Sequence, residues 1–106
     1  MKTLKKLLCT ALSLSLVLAL AACGEVPIIG INQYGSHGSL DNCREGFLQG
    51  LQEAGLVEGT DYTIDYQNAN FDTNLATQIA QAFSAEDAAL MVGIAPPSAT
   101  ACYAAA

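Results

Sequence analysis

Three short apolar segments, each followed by a stretch of helical spacing, constrain this chain more than any other feature. Pro27-Ile28-Ile29-Gly30-Ile31-Asn32-Gln33 is nearly unbroken and rich in β-branched residues, the pattern of a strand covered on both faces. Tyr62, Ile64 and Tyr66 alternate with Thr63, Asp65 and Gln67, which suits an edge strand with one wetter face. Leu90-Met91-Val92-Gly93-Ile94 is a third, shorter apolar run. Between them lie two helical stripes. The first, Leu40, Cys43, Phe47, Leu48 and Leu51, spans about Leu40 to Ala54, with Ser39 as the expected N-cap and Asp41 opposing the dipole. Gly55 is its expected C-terminal cap, with Leu56 as the apolar residue after it, and Val57 to Thr60 form a turn. The second stripe, Leu75, Ile79, Ala82 and Phe83, ends near Ser84. Pro96 and Pro97 break the third strand, and a third helix is expected from Pro97 or Ser98.

This strand–helix alternation is the grammar of an α/β fold, a parallel sheet with helices on both faces in three layers. Right-handed crossovers predict strand order 2-1-3, with the first helix on one face and the second on the other. The connections reverse direction between strands 1 and 3, and such a reversal opens a ligand crevice at the carboxyl ends of the strands. Three loops meet there: Gln33 to Ser39, Asn68 to Thr73, and Ala95 to Ala99.

The first 22 residues read differently. Lys2, Lys5 and Lys6 precede an apolar run from Leu7 to Leu20, about 14 residues against the roughly 20 needed to span a bilayer. It ends at Leu20-Ala21-Ala22-Cys23, which resembles the processing site of bacterial lipoproteins. Residues 1–22 are thus expected to be an export signal and Cys23 the lipidated residue. Residues 23–26 would be a tether and 27–106 the folded part. Two or three acyl chains give durable anchoring where one is marginal, so the expected location is the outer face of a cell membrane. All three lysines belong to the leader. Beyond it Arg44 stands alone against ten carboxylates, a formal balance of −9. One arginine cannot neutralise a row of phosphates, so a nucleic-acid partner is excluded, as is a basic membrane-surface helix.

Several motifs run in order: His37-Gly38-Ser39-Leu40-Asp41, Arg44-Glu45-Gly46-Phe47, Gly50-Leu51, Glu53-Ala54-Gly55, Val57-Glu58-Gly59 and Asp65-Tyr66-Gln67-Asn68-Ala69. Together they resemble the start of the tryptophan/tyrosine-type substrate-binding lipoproteins of ABC transporters, within the type I periplasmic binding proteins. The resemblance implies two α/β lobes that close on a small solute about a hinge, and delivery of that solute to a membrane ABC permease. It also implies that residues 27–106 are the beginning of the first lobe, which fits a chain that stops among the helix formers of Cys102 to Ala106. An amino acid, and an aromatic one in particular, is the implied ligand. A sensory lipoprotein without transport is the nearest alternative, and a secreted flavodoxin-like or hydrolytic enzyme a distant one.

The resemblance turns Gln33, Tyr34 and His37 toward the ligand, together with Asn68 and Asn70 of the amide loop and Pro97, Ser98 and Ala99 at the third helix. Three positions depart from the family pattern: Gly38 replaces a usual proline, Pro96 a threonine and Ala89 an aspartate. On chemistry alone, a helix start suits an amino-acid carboxylate, and Ser98 equally suits capping its own helix. His37 reads either as a plain loop residue or as a ligand contact. Turn chemistry alone also accounts for Asn68 and Asn70. Tyr34, Phe71 and Tyr103 are aromatic candidates for a pocket, whereas Tyr62 and Tyr66 read as sheet packing. No cofactor, metal site or catalytic group is expected: His37 lacks clustered ligands, and Ser36, His37 and Asp41 are too close in sequence to face one another as a triad. Cys43 and Cys102 fall on helices of opposite faces and are expected as unpaired, at least partly buried thiols.

Overall fold

The computed structural model describes residues 25–106; residues 1–22, expected as a leader, and Cys23 and Gly24 lie outside the described residues. Six elements follow in order: β1 (Ile28–Gln33), α1 (Gly38–Glu53), β2 (Thr63–Asn68), α2 (Thr73–Ala85), β3 (Leu90–Ile94) and α3 (Pro96–Ala105). The three strands form one parallel sheet in the order β2-β1-β3, as the crossover rule predicts. Register aligns the carboxyl ends: Gln33 at the end of β1 pairs with Asn68 of β2 and with Ile94 of β3. The connections that follow these three residues therefore emerge side by side.

β1 is central because both its faces are covered. Ile29 and Ile31 point to one side, where Tyr62, Ile94 and the partly buried Leu40, Phe47, Leu48 and Leu51 of α1 pack around them. On the other side Phe83, Ile79, Ala76 and Ala69 form a second cluster, joined by Met91 and Ala101. Gly30 faces that second cluster, and a Cβ there would lie 2.5 Å from the Phe83 ring. The glycine lets the ring lie directly on the strand.

Several local expectations are corrected. α1 starts at Gly38, and its N-cap is His37 rather than Ser39, because the His37 ring nitrogen accepts from Ser39 N–H at 3.2 Å. Cys43 is exposed, not buried; the stripe that packs is Leu40, Phe47, Leu48 and Leu51, and Cys43 falls on its flank. On α2 the buried positions are Ala76, Ile79, Ala80 and Phe83, and Ala82 faces solvent. Two alanines at the contact bring the helix backbone close to its neighbours, which rotates the buried stripe away from Ala82. α3 begins at Pro96, earlier than expected, with Pro96 and Pro97 both in its first turn. At the end of α1 the glycine expectation holds in detail. Gly55 has φ +82°, its N–H donates to Gln52 O, and Leu56 N–H donates to Leu51 O, the paired bonds of a Schellman closure.

α3 packs beside α2 and so lies on the face opposite α1. Cys43 and Cys102 are accordingly both free. Burial pushes the Cys102 thiol above its ordinary value, partly offset by the polar Asn32 amide beside it. At the outer edge of β3 a groove of about 720 Å³ runs between Leu90, Met91, Cys102 and Tyr103. No helix among the described residues is long and apolar enough to cross a membrane.

Candidate functional site at the carboxyl end of the sheet

Three loops leave the aligned strand ends and are tied to one another by backbone bonds. Tyr34 N–H donates to Ile94 O at 3.1 Å, Ala69 N–H to Gln33 O at 2.9 Å, and Phe71 N–H to Tyr34 O at 2.7 Å. The wall they form holds Tyr34, Ser36, His37, Asn68, Asn70 and Phe71, together with the start of α3.

Polar side chains brace this wall from beneath. Gln33 is fully buried, and every polar atom of its amide is engaged. Its Nε2 donates to Gly35 O at 2.8 Å and to Asp41 Oδ1 at 2.7 Å, and its Oε1 accepts from the Arg44 guanidinium at 2.7 Å. The same guanidinium donates to the Tyr66 phenol at 3.0 Å and lies over that ring, 4.7 Å from its centroid. Asn68 Nδ2 continues the network to Ser36 Oγ at 3.0 Å, and Asn68 Oδ1 accepts from Asn70 N–H at 2.8 Å. Arg44 thus links β1, α1 and β2 below the loops. Burying an amide such as that of Gln33 is tolerable only because it is fully bonded.

The sequence-derived candidates separate into two groups. Gln33 supports the wall from behind and has no exposed surface. His37 is exposed but spends its ring nitrogen on capping α1. Asn68 is committed to Ser36 and to its own turn, while the Asn70 side chain is exposed. Ser98 is fully buried, its hydroxyl without a partner. Ala99 is exposed and Pro97 half-buried. The helix start is also poorer in donors than its position promises: Pro96 and Pro97 carry no N–H, leaving Ser98 alone among the first three helical residues with a backbone donor.

Of the three aromatic candidates, Tyr34 and Phe71 meet and Tyr103 does not. The Tyr34 and Phe71 rings stand edge to face, centroids 5.6 Å apart and planes at 87°. Tyr103 lines the β3-edge groove with Leu90 and Asp87, at the beginning of that strand. Tyr66 proves to be more than sheet packing, since its phenol joins the Arg44 network. Arg44, Asp41 and Ser36 were missed as site residues. The available signal was a lone arginine in a chain otherwise acidic, together with a glutamine at the end of a strand buried on both faces.

Backbone strain also collects here. Asn70 and Phe71 have φ of +52° and +61°, and Ala95, the residue before α3, has φ +86° and ψ +153°. The latter region belongs almost solely to glycine and costs of order 1–3 kcal/mol for other residues. Ala95→Gly should therefore raise stability by about 1 kcal/mol after the entropic penalty of glycine. Urea denaturation of the full-length gene product checks this; a loss of stability would show that the surroundings hold Ala95 without strain.

Comparison with known proteins decides the family. Residues 28–106 match the family model described as ABC transporter substrate binding protein. The chain belongs to that family. A tyrosine-binding protein of Clostridioides difficile strain R20291 is 39% identical over 75 residues, which cover 71% of this chain and 22% of that protein. The ligand-free, open structure of CD0873, a substrate binding protein with adhesive properties from Clostridium difficile, aligns with TM-score 0.73 and 37% identity over 76% of this chain. An ABC domain from Streptococcus pneumonia in complex with L-Trp aligns with TM-score 0.71 and 32% identity over 77% of it. The chain spans 28% of each of these two structures and 22% of the tyrosine-binding protein. Its three-stranded sheet with flanking helices is the fold it shares with them.

Proposed function

We propose that the protein is the extracytoplasmic, lipid-anchored binding component of an ABC importer, taking an aromatic amino acid and handing it to the permease. The observation that carries this reading is the family match over residues 28–106, with relatives described as binding tyrosine and L-Trp. The site is consistent with it: loops converge at the carboxyl end of a parallel sheet, where ligands of such folds bind. In a two-lobe receptor the contacts on the far side of the ligand would come from the second lobe, and closure follows from contacts that both sides make with the solute. The Leu20-Ala21-Ala22-Cys23 sequence supports the anchor.

Two measurements on the full-length gene product test the reading. Calorimetric titration with L-tyrosine and L-tryptophan should show saturable binding, and heat from neither would overturn the ligand class. Cys23→Ser should move the protein from the membrane fraction to the soluble one; unchanged partitioning would overturn the anchor.

A further inference from the structure

We infer that Phe71 is the specificity-determining residue of this site, an exposed platform against which the ring of an aromatic ligand packs. The inference rests on the amino-acid reading given above and goes further by naming the side chain that selects the ring.

Phe71 is 56% exposed, in a loop otherwise made of small and polar residues, Asn68 to Thr73. Its φ of +61° is a conformation that bulky residues avoid. A ring that served only to fill the core would be buried and unstrained, and this one is neither. The chain nevertheless fixes its backbone on both sides of the peptide unit. Phe71 N–H donates to Tyr34 O at 2.7 Å, Phe71 O accepts from the Tyr34 hydroxyl at 3.0 Å, and the same hydroxyl meets Thr73 Oγ1 at 3.2 Å. Asp72 N–H donates to Ala69 O at 2.9 Å and closes the turn behind it.

Gly35 completes the cradle. A Cβ at that position would lie 2.3 Å from the Phe71 ring, so the ring rests on bare backbone of the β1–α1 loop. Tyr34 meets it edge to face. The ring is thus preorganised at the ends of β1 and β2, with one part gripped and the remainder open. Aromatic rings prefer such offset or edge contacts with one another, and a fixed platform selects a flat ring over a branched aliphatic side chain.

The test is calorimetric titration of the full-length gene product with L-tyrosine, L-tryptophan and L-leucine. The wild type should bind the aromatic pair and discriminate against L-leucine. Phe71→Leu, which keeps an apolar contact with Gly35, should weaken both aromatic ligands at least about tenfold, and Phe71→Tyr should restore most of that affinity. Gly35→Ala should act in the same direction, because it displaces the ring without removing it. Circular dichroism of each variant confirms folding. Aromatic binding by the wild type together with undiminished affinity in Phe71→Leu would overturn the platform while leaving the amino-acid reading intact. A wild type that prefers L-leucine, or binds none of the three, would overturn both.

Discussion

Phe83→Ala is expected to remove a large share of the stability of this sheet–helix unit. The Phe83 ring is 1% exposed, packs against Gly30 of the central strand, and gathers Ala69, Ala76 and Ile79 around it. Truncating a buried phenylalanine costs about 3–5 kcal/mol through lost transfer energy and the cavity left behind. Against a total of about 5–15 kcal/mol for a typical domain, that is a large share. Gly30→Ala should be damaging for the complementary reason. Its new Cβ would lie 2.5 Å from the ring, and a ring so enclosed has nowhere to swing. The two effects should be strongly non-additive, with Gly30→Ala much milder in the Phe83→Ala background, because the cavity receives the methyl group. Urea denaturation of the four proteins of that cycle measures the coupling. Additive losses would show that the ring and the glycine are not in contact.

Much of this architecture was legible because it depends on patterns along the chain. The unbroken apolar run of β1 announces burial on both faces, the alternation of β2 announces an edge, and Gly55 marks the end of α1. The order 2-1-3 follows from crossover handedness and needs no contact information. What escaped depends on distance in space. The buried face of α2 is turned toward Ala76 and Ala80 because small residues allow close approach, and periodicity weights an alanine little. His37 as a cap was hidden because serine, next but one, is a commoner capping residue. The Arg44 network joins residues of three elements through Gln33, Tyr66 and Asp41, and nothing in the spacing of those residues requires them to meet. Topology brought the three loops together at the carboxyl end of the sheet, as expected. Which side chains those loops expose was not legible: Gln33 and Ser98 turn inward, while the open Phe71 ring depends on a backbone angle that composition does not encode.

Gly93→Ala is expected to displace α3 from the sheet and with it the third part of the site. A Cβ at Gly93 would lie 2.4 Å from Ala99 Cα, 2.6 Å from Ala99 N and 2.8 Å from the Ser98 carbonyl carbon. All three are backbone atoms, so no rotamer change relieves the clash and the first turn of the helix must move. Overpacking of this kind costs about 1–3 kcal/mol and occasionally more. Gly46 provides the contrast. It sits within α1, where an added Cβ meets nothing within 4 Å, so Gly46→Ala should stabilise by about 0.5–1 kcal/mol through helix propensity alone. The two alanines should therefore shift urea midpoints in opposite directions. Because Ala95, Pro97 and Ala99 travel with α3, the amino-acid binding proposed above predicts that Gly93→Ala also weakens L-tyrosine binding by the full-length gene product, while Gly46→Ala leaves it unchanged. Equal tolerance at both positions would mean that α3 does not rest on the β3 backbone. The carboxyl end of the sheet would then need another means of holding that helix start beside Tyr34.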